Sequence, residues 1–241
     1  MKQESDERGL AQKLERQGVK LDRAVTAALE HMARRLLEEN RKRNLTAIRD
    51  YEGILVRHYL DCLMPWMKGW KIPEGRGCDI GTGAGFPGLV FALLRRDQPW
   101  TLVESKLSKF SWLCEISKEL GLSDVTLVRS RAEVLGRDPA HRESYALCLA
   151  RAVAKGTVML EYSLPLLEVG GELWTWQGED CRPEMWGDAL RQLGGELGDR
   201  IEYVLPESNP SGQKQVIRVV KRHSTPEGFP RRTGIPRKRP L

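Results

Sequence analysis

Gly81-Thr82-Gly83-Ala84-Gly85-Phe86-Pro87-Gly88 places four glycines in eight residues, between the short run Cys78-Asp79-Ile80 and the apolar run Leu89 to Leu94. Glycine reaches positive φ without a Cβ penalty and lets a ligand approach the backbone closely. A strand entering such a turn and a helix leaving it form the opening unit of a doubly wound sheet. The chain behind it keeps the alternation. Trp100 to Glu104, Val125 to Val128, Ala146 to Ala150 and Glu172 to Trp176 read as strands. Lys106 to Leu120 reads as a helix with Phe110, Leu113, Cys114, Ser117 and Leu120 on one side. Thr157 to Leu167 reads as another, kinked or shortened at Pro165 and stopped by Gly170-Gly171. A helix over Pro183 to Leu193 follows. The last two strands, Ile201 to Leu205 and Gln215 to Val220, are separated only by the turn Asn209-Pro210-Ser211-Gly212, so they pair antiparallel at one edge. The fold class is α/β, a doubly wound and mainly parallel sheet.

Ahead of that domain the text is helical. From Asp22, Val25, Leu29, Met32 and Leu36 form one apolar stripe that ends in Arg41-Lys42-Arg43. A second stretch from Tyr51 to Trp66 turns Leu55, Tyr59, Cys62, Leu63 and Trp66 inward and closes at Gly69 and Pro73. This divides the chain into a helical extension over 1–70, whose first twenty or so residues read as a frayed helix or disorder, a nucleotide-binding domain over 71–222 and a basic tail over 223–241. The net charge of +6 lies wholly at the end, where Lys221 to Leu241 holds seven Lys or Arg against the single acid Glu227. Arg231-Arg232 and Arg237-Lys238-Arg239, interrupted by prolines, are too polar to bury a core and suit phosphates; a solubilising tail is the alternative. No apolar run approaches the ~18 residues of a membrane helix, and the polar, acidic start excludes a secretory signal. Five scattered cysteines with no C-x-x-C spacing argue against a zinc site or disulfide framework and fit reduced cytoplasmic thiols.

Four features bear on chemistry. Gly83 to Gly88 satisfies G-x-G-x-x-G, a dinucleotide signature, but Asp79 inside the strand suits a ligand bearing positive charge, such as an ammonium or a sulfonium. Glu104 lies 23 residues past Gly81 at a strand end, where an acid accepts ribose hydroxyls. That ribose is common to NAD and S-adenosylmethionine. Ala132-Glu133 begins a helix after the third strand, and Arg151 ends the fourth strand facing the crevice. The four histidines show no metal-ligand spacing, and no Ser/His/Asp set stands out.

These residues resemble a known family, the bacterial methyltransferases that modify a guanine at N7 in small-subunit ribosomal RNA, also called glucose-inhibited division protein B. The likeness runs in order through Asn44-Leu45-Thr46-Ala47-Ile48-Arg49-Asp50, Leu55-Val56-Arg57-His58-Tyr59-Leu60-Asp61, Asp79 to Gly88, Ser130-Arg131-Ala132-Glu133, Ala150-Arg151-Ala152-Val153-Ala154 and Phe229 to Pro236. The resemblance implies a Rossmann-like class I methyltransferase fold, a seven-stranded mixed sheet with an antiparallel edge strand. It implies S-adenosylmethionine as cofactor, S-adenosylhomocysteine as product, and small-subunit rRNA or the small subunit as partner, in the cytoplasm. Neither membrane nor DNA is expected as a partner, and nothing demands more than a monomer. By position it assigns cofactor contacts to Asp79, Gly81, Gly83, Phe86, Glu104, Ser105, Lys106, Ala132 and Glu133. Phe86 would pack on the cofactor, Glu104 would take the ribose, Ala132-Glu133 would frame the adenine, and Arg151 would sit at the reacting end as the catalytic residue. Arg57, Lys106, Lys109, Arg41-Lys42-Arg43 and the tail would supply RNA backbone contacts. Two departures stand out: Glu104 where the family carries Asp, and Trp176-Gln177-Gly178 where it carries Leu-Lys-Gly, which removes a cation. An NAD-linked oxidoreductase and a non-catalytic ribosome-binding factor are the competing readings.

Overall fold

The computed structural model describes residues 9–154, 156–206 and 212–241, so the start of the chain and the turn residues Asn209, Pro210 and Ser211 lie outside the described residues. Helices α1 (Gly9–Arg16) and α2 (Arg23–Arg43) precede a continuous helical run: α3 (Tyr51–Ile54), a π-helical turn (Leu55–Leu60) and α4 (Asp61–Met67). The alternating part follows as β1 (Gly77–Ile80), α5 (Gly88–Leu94), β2 (Trp100–Val103), α6 (Leu107–Glu119), β3 (Val125–Val128), α7 (Ala132–Leu135), β4 (Tyr145–Arg151), α8 (Gly156–Ser163), β5 (Leu167–Gly178), α9 (Gly187–Leu193), β6 (Gly195–Val204) and β7 (Gln213–Lys221). A last short helix, α10 (Ile235–Lys238), lies in the C-terminal segment.

The seven strands are ordered β3-β2-β1-β4-β5-β7-β6. β1 to β5 run parallel, and β7 is antiparallel to both β5 and β6. The reversed strand therefore sits one place inside the edge that β6 forms. Chain order reverses between β1 and β4, which opens a crevice at the carboxyl ends of those strands.

Two local expectations are corrected. Helix α8 ends at Ser163 and a 3-10 turn, Leu164–Leu166, leads straight into β5, which begins at Leu167 rather than Glu172. Pro165 lacks the N–H that would continue the helix. Gly171 does not stop the chain but lets β5 press on β4, since a Cβ there would lie 2.8 Å from the Tyr145 carbonyl oxygen. On α6 the buried face is Trp112, Leu113, Ile116 and Ser117, while Cys114 is exposed. Trp112 sets that rotation by donating its indole N–H to the Ala84 carbonyl at 3.0 Å.

Helices α1 to α6 and the sheet share one apolar cluster, in which Leu29, Met32, Leu36, Tyr59, Leu63, Phe91, Trp112 and Trp174 are fully buried. The opposite face packs under α7 to α9 through Leu135, Met159, Leu160, Leu164, Leu190 and Leu193. Each such side chain contributes about 1.5–3 kcal/mol on burial. The N-terminal helices are thus one wall of the same core. Asn40 makes the connection to α3: its amide donates to the Thr46 and Ile48 carbonyls at 2.9 and 3.0 Å and accepts from the Thr46 N–H at 2.9 Å. Asn44 closes α2 in the left-handed region, and Asp50 caps α3 by accepting from the Gly53 N–H.

The tail is the largest correction. It is docked, with Phe229 packed against the second core and Pro230 and Pro236 buried. Arg231 meets Glu161, which is 0 % exposed, through both carboxylate oxygens. Arg142 donates to the Phe229 and Thr225 carbonyls at 2.7 and 2.6 Å, and Arg137 to the Pro230 carbonyl at 2.7 Å. At the root, the buried Lys221 ammonium donates to the Leu164 carbonyl and the Thr225 hydroxyl, and burial pushes its pKa down to about 8. Composition did not disclose this, because buried acids and body arginines satisfy the tail, and apolar area does so only in part.

Candidate functional site

The glycine turn links β1 to α5 at the crevice, and three of its four glycines are required by packing. A Cβ at Gly81 would meet the Val153 side chain at 2.9 Å, one at Gly85 the Leu89 side chain at 2.3 Å, and one at Gly88 Leu102 at 2.4 Å and Asp79 at 2.7 Å. Gly83 differs: its φ is +64°, and a Cβ would find only the Lys109 ammonium at 3.7 Å and the Gly81 carbonyl at 3.8 Å. Here the backbone lies open to a ligand.

Two carboxylates organise the turn. Asp79, fully buried in β1, accepts the Gly88 N–H at 2.7 Å on one oxygen, and the other has no hydrogen-bond partner among the described residues. Burial raises its pKa to about 7, against the pull of the nearby Thr82 hydroxyl and the Gly88 N–H. Glu104, just past β2, accepts the Gly83 N–H at 3.1 Å and the Lys106 N–H at 2.7 Å. Each carboxylate oxygen has two acceptor positions, so Glu104 keeps one on each oxygen beside the open Gly83. Ser105 and Lys106 are exposed at the same strand end.

Arg151 ends β4 and is held from three sides. One terminal nitrogen donates to the Asp61 carboxylate at 2.8 Å and to the Arg57 carbonyl at 3.1 Å; the other donates to His58 Nδ1 at 2.8 Å. A guanidinium has five N–H donors, so two have no acceptor among the described residues. His58 accepts at Nδ1 and therefore carries its proton on Nε2, which faces the Thr46 hydroxyl at 3.0 Å. Burial, and then the charges of Arg151, Arg57 and Lys214, push the His58 pKa down to about 2, so the ring is neutral.

Asp61 is the hub. It is 1 % exposed and accepts from Arg151, from the Tyr203 hydroxyl at 2.7 Å and from the Lys214 ammonium at 3.0 Å, while its carbonyl accepts the Trp176 indole N–H at 2.7 Å. Sequence reasoning quoted His58 and Asp61 within a motif but gave neither a role, and it missed Tyr203 and Lys214. The one available signal was a buried-period acid in an otherwise apolar helix. The π-helical turn at Leu55–Leu60 is a second sign, since such turns recur at functional sites. Gln177 faces Thr175, its amide donating to that hydroxyl at 2.8 Å, and Lys214, opposite Gly178 on the next strand, brings a cation to this end of the sheet.

Two of the assigned residues are also held by the protein itself. Phe86 is 3 % exposed, and its ring stacks on His58 with centroids 4.1 Å apart and planes 6° apart, with the Arg151 guanidinium 5.6 Å from its centroid. Its ring braces His58 and Arg151. Glu133 is 2 % exposed and accepts the Gly234 N–H of the tail at 3.1 Å, so its carboxylate fastens the tail beside the crevice; Ala132, half-buried, remains at its rim. Of the other predicted contacts, Asp79, Gly81, Gly83, Glu104, Ser105, Lys106 and Arg151 all gather at the carboxyl ends of β1, β2 and β4. Of the expected RNA-contacting cations, Arg43 is paired with Glu115 and Glu39, Lys42 with Glu39, and Arg57 with Asp50 at 3.6 Å.

Residues 25–189 match the model of the family described as rRNA small subunit methyltransferase G. The chain is 39 % identical over 208 residues to the ribosomal RNA small subunit methyltransferase G of Alkaliphilus metalliredigens, covering 86 % of each chain. It is 39 % identical over 225 residues to the protein of that name from Roseiflexus castenholzii, covering 93 % of this chain and 95 % of the other. Among solved structures, YcgJ of Bacillus subtilis superposes with a TM-score of 0.54 at 12 % identity, over 69 % of this chain and all of that one, a likeness of fold alone.

Proposed function

The chain belongs to the rRNA small subunit methyltransferase G family, and from that premise we propose that its crevice transfers a methyl group from S-adenosylmethionine to N7 of a guanine in small-subunit ribosomal RNA. The observation that carries this reading is the set of ligands left open at one strand edge. The bare backbone of Gly83 lies beside the spare acceptor positions of Glu104, with the orphaned oxygen of Asp79 behind the turn and two unused N–H groups on Arg151. Acceptors on one side suit ribose hydroxyls and a cationic ligand, so the residues present fit the cofactor. When bound, S-adenosylmethionine supplies an electrophilic methyl on a cationic sulfur, which the lone pair of guanine N7 accepts as the positive charge passes to the purine.

Glu104 would take the ribose hydroxyls; its extra methylene relative to Asp is taken up by the amide bonds from Gly83 and Lys106. Ser105 and Lys106 would line the ribose side, Ala132 the adenine side, and Gly81 and Gly83 the methionine side. Asp79 would set the local charge from inside β1. Arg151, fixed by Asp61 and His58, would donate its two free N–H groups to guanine O6, the acceptor next to N7, and so aim the nucleophile. No residue needs to remove a proton, because N7 attacks through an exposed lone pair. Alignment alone is worth roughly 7–11 kcal/mol. N7 lies in the deep groove of A-form RNA, so the target must be an accessible, unpaired or loop base. Labelled-methyl transfer to small subunits that lack the mark, with cleavage at 7-methylguanine, tests the proposal: one mapped guanine supports it, and cofactor binding without incorporation overturns it.

A further inference from the structure

The described cations of the C-terminal segment fall into two groups. Lys221 is buried on Leu164 and Thr225, Arg222 pairs with Glu196, and Arg231 clamps Glu161. Arg232, Lys238 and Arg239 are exposed and have no acidic partner among the described residues. Arg237 is exposed as well and gives one hydrogen bond, to the Val153 carbonyl at 3.0 Å. These four lie within eight residues.

Their position is fixed by contacts to the crevice walls. The Gly234 N–H is held by Glu133 just past β3, and Arg237 holds the carbonyl of Val153 just past β4, whose side chain covers Gly81. Lys106 after β2 and Arg129 after β3 are further exposed cations along the same edge, also without an acidic partner among the described residues. The acids at the crevice, Asp61, Asp79, Glu104 and Glu133, are all buried. A row of unneutralised, exposed cations around a crevice that holds buried acids attracts a polyanion to its rim. Arginine forks match phosphate geometry.

We propose that the docked segment carrying Arg232, Arg237, Lys238 and Arg239 is the surface that holds the phosphate backbone of the RNA substrate at the rim of the crevice. The inference rests on the methyltransferase reading and adds to it where the RNA strand leaves the site. Docking of the tail fixes the distance between those phosphates and the reacting base. The segment therefore acts as a ruler as well as a source of charge.

The test uses the full chain with Arg232→Ala, Lys238→Ala and Arg239→Ala combined, none of which bonds the body through its side chain among the described residues. Binding to deproteinised small-subunit rRNA is measured across a salt series. Each lost phosphate contact lowers the log–log salt slope by roughly 0.7–0.9, so the triple variant should lose about two to three from the slope. It should also raise KM for the RNA substrate about tenfold or more, with kcat, melting temperature and S-adenosylmethionine affinity kept. An unchanged slope and KM would overturn the proposal. So would weakened binding to intact subunits with unchanged binding to naked rRNA, because the partner would then be a protein. A wild-type chain that binds RNA with the expected slope but no S-adenosylmethionine would sink the methyltransferase reading and leave this surface standing.

Discussion

Asp61 shows how much one buried carboxylate can organise. Its partners Arg151, Tyr203 and Lys214 come from β4, β6 and β7, and burial beside Asp61 pushes the Tyr203 phenol well above its ordinary range. Asp61→Asn removes the charge that offsets two buried or half-buried cations, a class of change that costs about 3–5 kcal/mol. We expect denaturant unfolding to show a loss of that order. We also expect kcat to fall tenfold or more with S-adenosylmethionine affinity within about twofold, because Arg151 loses its aim while the cofactor side is untouched. Equal losses in both parameters would mean that Asp61 serves the fold alone. Asp79 gives a pH signature. Its folded pKa of about 7 lies above the unfolded carboxyl value, so its share of stability is full below about 4 and is lost as pH rises through 7. The ionised form is the one that attracts a sulfonium. Affinity for S-adenosylmethionine should therefore rise as pH passes 7, and Asp79→Asn should flatten that rise in an equilibrium titration.

At the scale of elements, the glycine turn separates packing from recognition. Gly88→Ala would drive a methyl into Leu102 and Asp79, and overpacking of this kind costs about 1–3 kcal/mol. Gly83→Ala meets open space, so its cost is that of a left-handed residue, about 1–2 kcal/mol. We expect Gly88→Ala to lower stability more, and Gly83→Ala to weaken cofactor binding more than its stability loss explains. Paired thermal melts and equilibrium binding read both, and a Gly83→Ala protein with unaltered affinity would place the ligand elsewhere. The turn and Glu104 were legible in the sequence because both depend on short-range spacing: a strand, a tight turn and an acid one βα unit later. The rotation of α6 was not, because Trp112 chose its direction through a carbonyl 28 residues away.

Across the whole molecule, the tail ties its end to two strand ends and a buried acid. Arg231→Ala would leave the fully buried Glu161 without its guanidinium, a loss of about 3 kcal/mol or more. A thermal melt should show it directly, and S-adenosylmethionine affinity should fall in parallel, since Gly234 would no longer be held against Glu133. An unchanged melt would mean that the tail docks without this clamp. The alternation of strands and helices, the antiparallel close of the sheet, the glycine turn and the acid Glu104 at the next strand end were determined by the sequence by itself, because hydrophobic period and local turn chemistry act over a few residues. Tertiary structure alone decided that His58, Asp61, Arg151, Tyr203 and Lys214 meet, that Phe86 braces them, and that a basic tail is docked. Asp61 and Lys214 alone are 153 residues apart, and only the crossovers of the sheet and the exclusion of water at its carboxyl edge bring such charges within hydrogen-bonding distance.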